Sequence, residues 1–175
     1  MSPGEYARVE RERRFLLEGP PAAASVTAAR VITDRYLPGT RLRLRRSERR
    51  DGGGPELKLT QKIPAERPGA VQGFITNTYL SPAEYDLLAS LPAAVLTKTR
   101  LSVPPLGVDV FGGPLAGLVL AEAEFDSDEA ALAFVPPVGC VAEVTEDVRF
   151  TGGSLVTTSR RTLAGWLGEY GIRLG

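Results

Sequence analysis

The 175-residue sequence contains no histidine, one cysteine and one tryptophan. Without histidine there is no Ser-His-Asp or Cys-His nucleophile, no imidazole base and almost no route to a zinc site. The lone Cys140 excludes an internal disulfide, so a reducing cytoplasm is the expected location. No apolar run approaches the roughly 20 residues that cross a bilayer, and no membrane partner is expected. The first 25 residues are too charged for the apolar segment of a signal peptide. Net charge is lacking too: 21 Lys and Arg balance 21 Asp and Glu, so no overall field draws in nucleic acid. Chemistry is left to carboxylates, Lys, Arg, Tyr and metals that prefer oxygen.

What is present reads as one domain, 1–175, long enough to bury a core and with 43% hydrophobic residues. Strict alternation marks strands at 41–45 (RLRLR), 56–63 (ELKLTQKI), 96–103 (LTKTRLSV) and 118–125 (LVLAEAEF). Gly/Pro turns separate them: LPGT, DGGGP, RPG, PPLG and FGGP. Turn signals at this regular spacing predict an antiparallel sheet or barrel. Three stretches predict helices. The segment 81–91 opens with a Ser cap, a Pro at the first position and a Glu three residues on. The segment 127–134 has a Ser cap and acids in its first turn, and 159–171 spaces Leu163, Trp166, Leu167 and Tyr170 helically.

The polar faces of the strands are sorted by charge. Arg41, Arg43 and Arg45 share one face, as do Lys58, Thr60 and Lys62, and Lys98 with Arg100. Against them stand Glu10 with Glu12, Glu122 with Glu124, and Glu143 with Thr145 and Asp147 on an expected third acidic strand. Glu10 and Glu12 point the same way two residues apart, so something must compensate their repulsion. Surface pairing with neighbouring arginines would do so, and so would a metal ion. If the sheet closes, these faces line a polar interior while the leucines pack outward. Cations opposite carboxylates would then hold a polyanion bridged by divalent metal, the logic of phosphoryl transfer.

Five blocks, in order, carry a resemblance: ERERR (10–14), ITDRYLPGTRLRLR (32–45), KLTQK (58–62), LTKTRLSV…GVDVFGGPLAGLVLAEAEF (96–125) and EVTEDVRFTGGSL (143–155). Together they resemble the CYTH domain of the triphosphate tunnel metalloenzyme superfamily, and most closely its short bacterial tripolyphosphatases. The resemblance implies an α+β fold: a closed eight-stranded antiparallel β-barrel, open as a tunnel, with a few helices packed outside. It implies Mg²⁺ or Mn²⁺ held by Glu10, Glu12, Glu122, Glu124 and Glu143. Arg14, Arg41, Arg43, Lys62 and Arg100 would grip a triphosphate or polyphosphate substrate, and Lys98 with Tyr36 would help activate water. Hydrolysis of inorganic tripolyphosphate is the expected reaction. The alternatives are a nucleoside or thiamine triphosphatase, an adenylyl cyclase, or a triphosphate-binding protein without turnover. Three departures stand out. Arg14 occupies a lysine position, 150–154 (FTGGS) lacks an asparagine, and 72–80 (QGFITNTYL) places Gly73, Ile75 and Asn77 where the pattern has Arg and two Glu.

Overall fold

In the computed structural model, which describes residues 3–174, nine strands and four helices alternate with short 3₁₀ turns. The strands are β1 (Arg8–Leu17), β2 (Ala28–Tyr36), β3 (Leu42–Arg49), β4 (Glu56–Pro64), β5 (Val71–Tyr79), β6 (Ala94–Val103), β7 (Leu106–Phe111), β8 (Val119–Glu124) and β9 (Cys140–Glu143). The helices are α1 (Pro82–Ala89), α2 (Asp128–Ala133), α3 (Gly152–Leu155) and α4 (Arg160–Glu169).

The sheet runs β5-β4-β3-β2-β6-β7-β8-β1, every pairing antiparallel, and closes where β5 meets β1. Closure removes the exposed edges that an open sheet would present. One strand manages it by serving different neighbours along its length. Residues 8–11 of β1 pair with β5, 12–17 pair with β8, and 15–17 also take β9 on the edge that β5 has left. The α+β barrel with outer helices is as expected; β9 is an addition to its eight strands.

Alternation places one face of each strand outward, and helices cover part of that outer surface. Leu44 and Leu57 pack with Tyr85 of α1, whose N-terminus carries a complete capping box between Ser81 and Glu84. Phe15, Val119, Ala121 and Ala123 are buried on a second outer patch with Phe125 and Phe134 against them. The expectation that the leucines face outward fails for a third set. Leu16, Leu96 and Leu120, with Phe111, lie on the same face as the charged residues and cluster with Phe150, Leu155, Leu163 and Leu167. The C-terminal segment thus covers one end of the barrel with apolar side chains. Each fully buried leucine there contributes roughly 1.5–3 kcal/mol.

The third acidic strand is corrected. β9 ends at Glu143, and the chain then turns, with Asp147 N–H donating to Val144 O. Asp147 caps the next 3₁₀ turn by accepting from Arg149 N–H, so Thr145 and Asp147 belong to no strand face.

Candidate active site

Inside the barrel lies a cavity of about 860 Å³ lined by ten Lys and Arg residues and five Asp and Glu residues, a clear cationic excess. Arg8, Glu10, Glu12, Arg14, Tyr36, Arg41, Arg43, Lys62, Lys98, Arg100, Glu122 and Glu124 all border it, so the barrel gathers nearly every residue singled out in the sequence.

Two carboxylates with no solvent exposure anchor the cationic walls. Asp34 accepts from Arg45 Nε and Nη2 at 2.7 and 2.8 Å, with Arg43 Nε 3.7 Å away. Asp109 accepts from Arg100 Nε and Nη2, both at 2.7 Å, and from Lys98 Nζ. Burial alone would raise both acids, yet Arg45 beside Asp34, and Lys98 with Arg100 beside Asp109, hold them below the usual carboxylate range. These anions fix where the cationic side chains point. Each was legible as the middle member of an alternating triplet, Ile32-Asp34-Tyr36 and Gly107-Asp109-Phe111.

A second row crosses four strands in register: Tyr36, Arg43, Thr60 and Asn77. Arg43 Nη2 donates to Thr60 Oγ1 at 3.3 Å, and Thr60 passes its own proton to Asn77 Oδ1 at 2.8 Å. Arg43 Nε is buried with no acceptor, an orphaned donor inside a cavity suited to anions. Tyr36 stands so close to Gly152 that a Cβ there would collide with its phenol oxygen, so only glycine fits. Burial, then the charge of Asp34, pushes the Tyr36 hydroxyl up to about 12. It therefore keeps its proton at neutral pH and can donate a hydrogen bond.

Lys98 and Tyr36 are not brought together as a water-activating pair. Tyr36 opposes Ala94 and Lys98 opposes Ile32, four residues along β6 or ~13 Å by strand rise. Among the described residues no hydrogen bond joins them, and Lys98 is held by Asp109 instead.

The carboxylates gather where β1 meets β8. Glu12 lies directly opposite Glu124 and Arg14 opposite Glu122. Like charges facing each other across strands are destabilising, which calls for a cation. The protein supplies several: Lys62 Nζ binds both oxygens of Glu10 at 2.8 and 3.1 Å, Arg100 binds Glu122, and Arg14 lies 3.3 Å from Glu12. Arg100 outweighs the upward push of burial and holds Glu122 below its usual range. Glu12, also buried, moves the other way. Burial, then the charges of Glu122 and Glu10, push it up to about 8. An oxygen-only donor set with one under-compensated carboxylate suits Mg²⁺ or Mn²⁺. With their present partners, no three acidic side chains among the described residues converge on one point that could hold an ion.

Arg14 is committed to the protein. Its Nη1 donates to Gln72 Oε1 at 2.8 Å and its Nη2 to Thr145 O at 2.8 Å. Gln72 in turn donates to Gly69 O. It reaches Arg14 because β5 bulges there: Glu10 pairs with Gly73 and Arg11 with Val71, skipping Gln72. Gly73 has φ +133°, and a Cβ would strike Ile63 O. Alternation in the sequence gives no sign of this contact.

Glu143 is the clear correction among the metal-ligand expectations. Alternation puts its partner Arg13 on the outer face of β1, where Arg13 binds both Glu143 oxygens at 2.8 Å and donates to Ala131 O and Phe134 O. Glu143 ties β9 and α2 to the outside of the barrel, away from the cavity.

No family model matches the chain. Over 48 residues it is 50% identical to an inorganic triphosphatase of Nitrosomonas europaea, a match covering 27% of this chain and 32% of that protein. The matched segment thus spans about a third of the curated relative's length. The likeness to solved structures is broader. A crystal structure of the inorganic triphosphatase NE1496 is 28% identical with a TM-score of 0.55, over 85% of this chain and 95% of that one. A second, of the hypothetical protein NE1496, is 29% identical with the same TM-score of 0.55, over 86% and 99%. The closed barrel, the inward charged rows and this likeness together agree with the resemblance to the CYTH-type triphosphate tunnel superfamily.

Proposed function

We propose that this protein hydrolyses a linear triphosphate, with inorganic tripolyphosphate preferred, in a reaction dependent on Mg²⁺ or Mn²⁺. The observation that carries the reading is the composition of one cavity: ten basic residues border it, with carboxylates grouped where β1 meets β8. Phosphoryl transfer asks little covalent chemistry of a protein and much positioning of charge. Water attacks one terminal phosphorus, one P–O–P bond breaks, and orthophosphate and pyrophosphate leave.

Arg43, Arg41, Lys62 and Arg100 would bind phosphate oxygens, with arginine suited to bidentate contact and lysine to a point charge. Arg14 would act by setting Glu12 and the Thr145 backbone just after β9 in place. Glu10, Glu12, Glu122 and Glu124 would hold the divalent ion. When bound, it supplies charge neutralisation to the phosphate chain and order to the site. Binding requires Glu12 to give up its proton and Glu122 to turn from Arg100, and both are rewarded only when ligand arrives. Lys98 and Tyr36 would assist from separate places, Lys98 as a fixed cation and Tyr36 as a hydrogen-bond donor.

One observation favours a second reading. The inward positions of β5, Gly73, Ile75 and Asn77, carry no charge, which fits a protein that binds triphosphate without turning it over. Binding of tripolyphosphate and release of phosphate, measured side by side with ATP and thiamine triphosphate as competitors, separate the two.

A further inference from the structure

The uncharged β5 wall is where the cavity contains a donor that no ion pair explains. Asn77 borders the cavity, and its side-chain carbonyl is engaged by Thr60. Thr60 is fully buried and its hydroxyl receives Arg43 Nη2 at 3.3 Å. That hydroxyl in turn donates to Asn77 Oδ1 at 2.8 Å. The carbonyl of Asn77 is thereby turned toward β4. Its Nδ2, with two N–H groups, has no protein acceptor among the described residues. It lies in the same cross-strand row as Arg43, whose buried Nε also lacks an acceptor.

We propose that Asn77 is a substrate-binding residue whose amide nitrogen donates to a phosphate oxygen directly, without a bridging cation. This rests on the triphosphate reading. A carboxylamide and a carboxylate have the same shape, but beside a polyanion only the first attracts. With Asn77 the β5 wall accepts phosphate oxygen directly, with no cation interposed. An acid at the same position would reach the phosphate chain only through a bridging cation and, without one, would repel it. Asn77 thereby adds a metal-free phosphate contact to the row that Arg43 and Thr60 prepare.

The test is the affinity of the full-length protein for tripolyphosphate in EDTA, by calorimetry, for wild type, N77A and N77D. Loss of one hydrogen bond to a charged group weakens binding roughly 10- to 100-fold, the change expected for N77A. N77D adds like-charge repulsion and should be weaker still, although it keeps the acceptor for Thr60 and gains a partner for Arg43. A melting temperature for N77D at or above that of wild type shows that the loss is not unfolding. A purely structural Asn77 predicts that N77A melts lower through loss of the Thr60 contact yet, while folded, binds tripolyphosphate as tightly as wild type. That result, with wild type binding tightly, overturns the assignment of Asn77 alone. Binding by wild type with Mg²⁺ but not in EDTA overturns this assignment alone; absence of binding under both conditions overturns the triphosphate reading and this assignment with it.

Discussion

Replacing Glu12 by Gln tests whether the carboxylate cluster is built for a cation. The side chain is nearly buried, at 7% exposure, and its acidity is pushed from 4.5 up to about 8. Below pH 4.5 the folded and unfolded chains both hold this proton, and the group contributes nothing. Between 4.5 and 8 the folded state keeps a proton that the unfolded state has lost, so stability falls as pH rises. A shift of 3.5 pH units at 1.36 kcal/mol each gives roughly 5 kcal/mol above pH 8 for a rigid site. Rotation of Arg14 and entry of water bring this to about 2–3 kcal/mol, since interior charges are better screened than a dry cavity implies. Gln has the shape of the protonated acid and never ionises. Glu12→Gln should therefore melt with wild type at pH 5 and about 5–10 °C above it at pH 8.5, at the 2–4 °C per kcal/mol of a chain this size. The assay is a pair of thermal melts in EDTA from pH 5 to 9, taken as a difference so that other titrations cancel. Mg²⁺ should narrow the gap at pH 8.5 by stabilising wild type. A gap that does not change with pH, or a mutant less stable at pH 8.5, refutes the electrostatic reasoning.

Two further outcomes follow from the site. Tyr36→Phe removes a donor that stays protonated up to about pH 12, so turnover should drop while the shape of the pH–rate profile below pH 10 is unchanged; a lost alkaline limb would make Tyr36 a base after all. Asp109→Asn strips the anion from between Lys98 and Arg100 and should destabilise the fold by about 3–5 kcal/mol, read by urea denaturation; a loss under 1 kcal/mol would mean that Glu122 alone holds these cations.

The barrel was legible because its strands are half polar and half apolar with strict alternation, and period 2 admits no other regular element. The helix starts at Ser81, Ser127 and Ser159 were legible for a similarly local reason: each of these hydroxyls accepts from the backbone N–H three residues on. What stayed hidden depends on contacts distant in sequence. Leu16 and Leu120 continue the charged faces of β1 and β8, and only the arrival of Phe150 and Leu163 explains an apolar end to a polar interior. Gln72 reaches Arg14 through a bulge set by one glycine's backbone. Glu143 misled because its alternation with Thr145 suggested a longer strand, whereas Arg13 claims it from the outside of the barrel. The separation of Lys98 from Tyr36 is a matter of strand register, which composition does not encode.

Phosphate release from tripolyphosphate, measured with Mg²⁺ or Mn²⁺ and with EDTA, tests the central claim most directly. The account predicts metal-dependent release that falls at least a hundredfold in Glu12→Gln, because a carboxylate that holds the ion also orders the substrate. Release that persists in EDTA, or a Glu12→Gln protein as active as wild type, would contradict it.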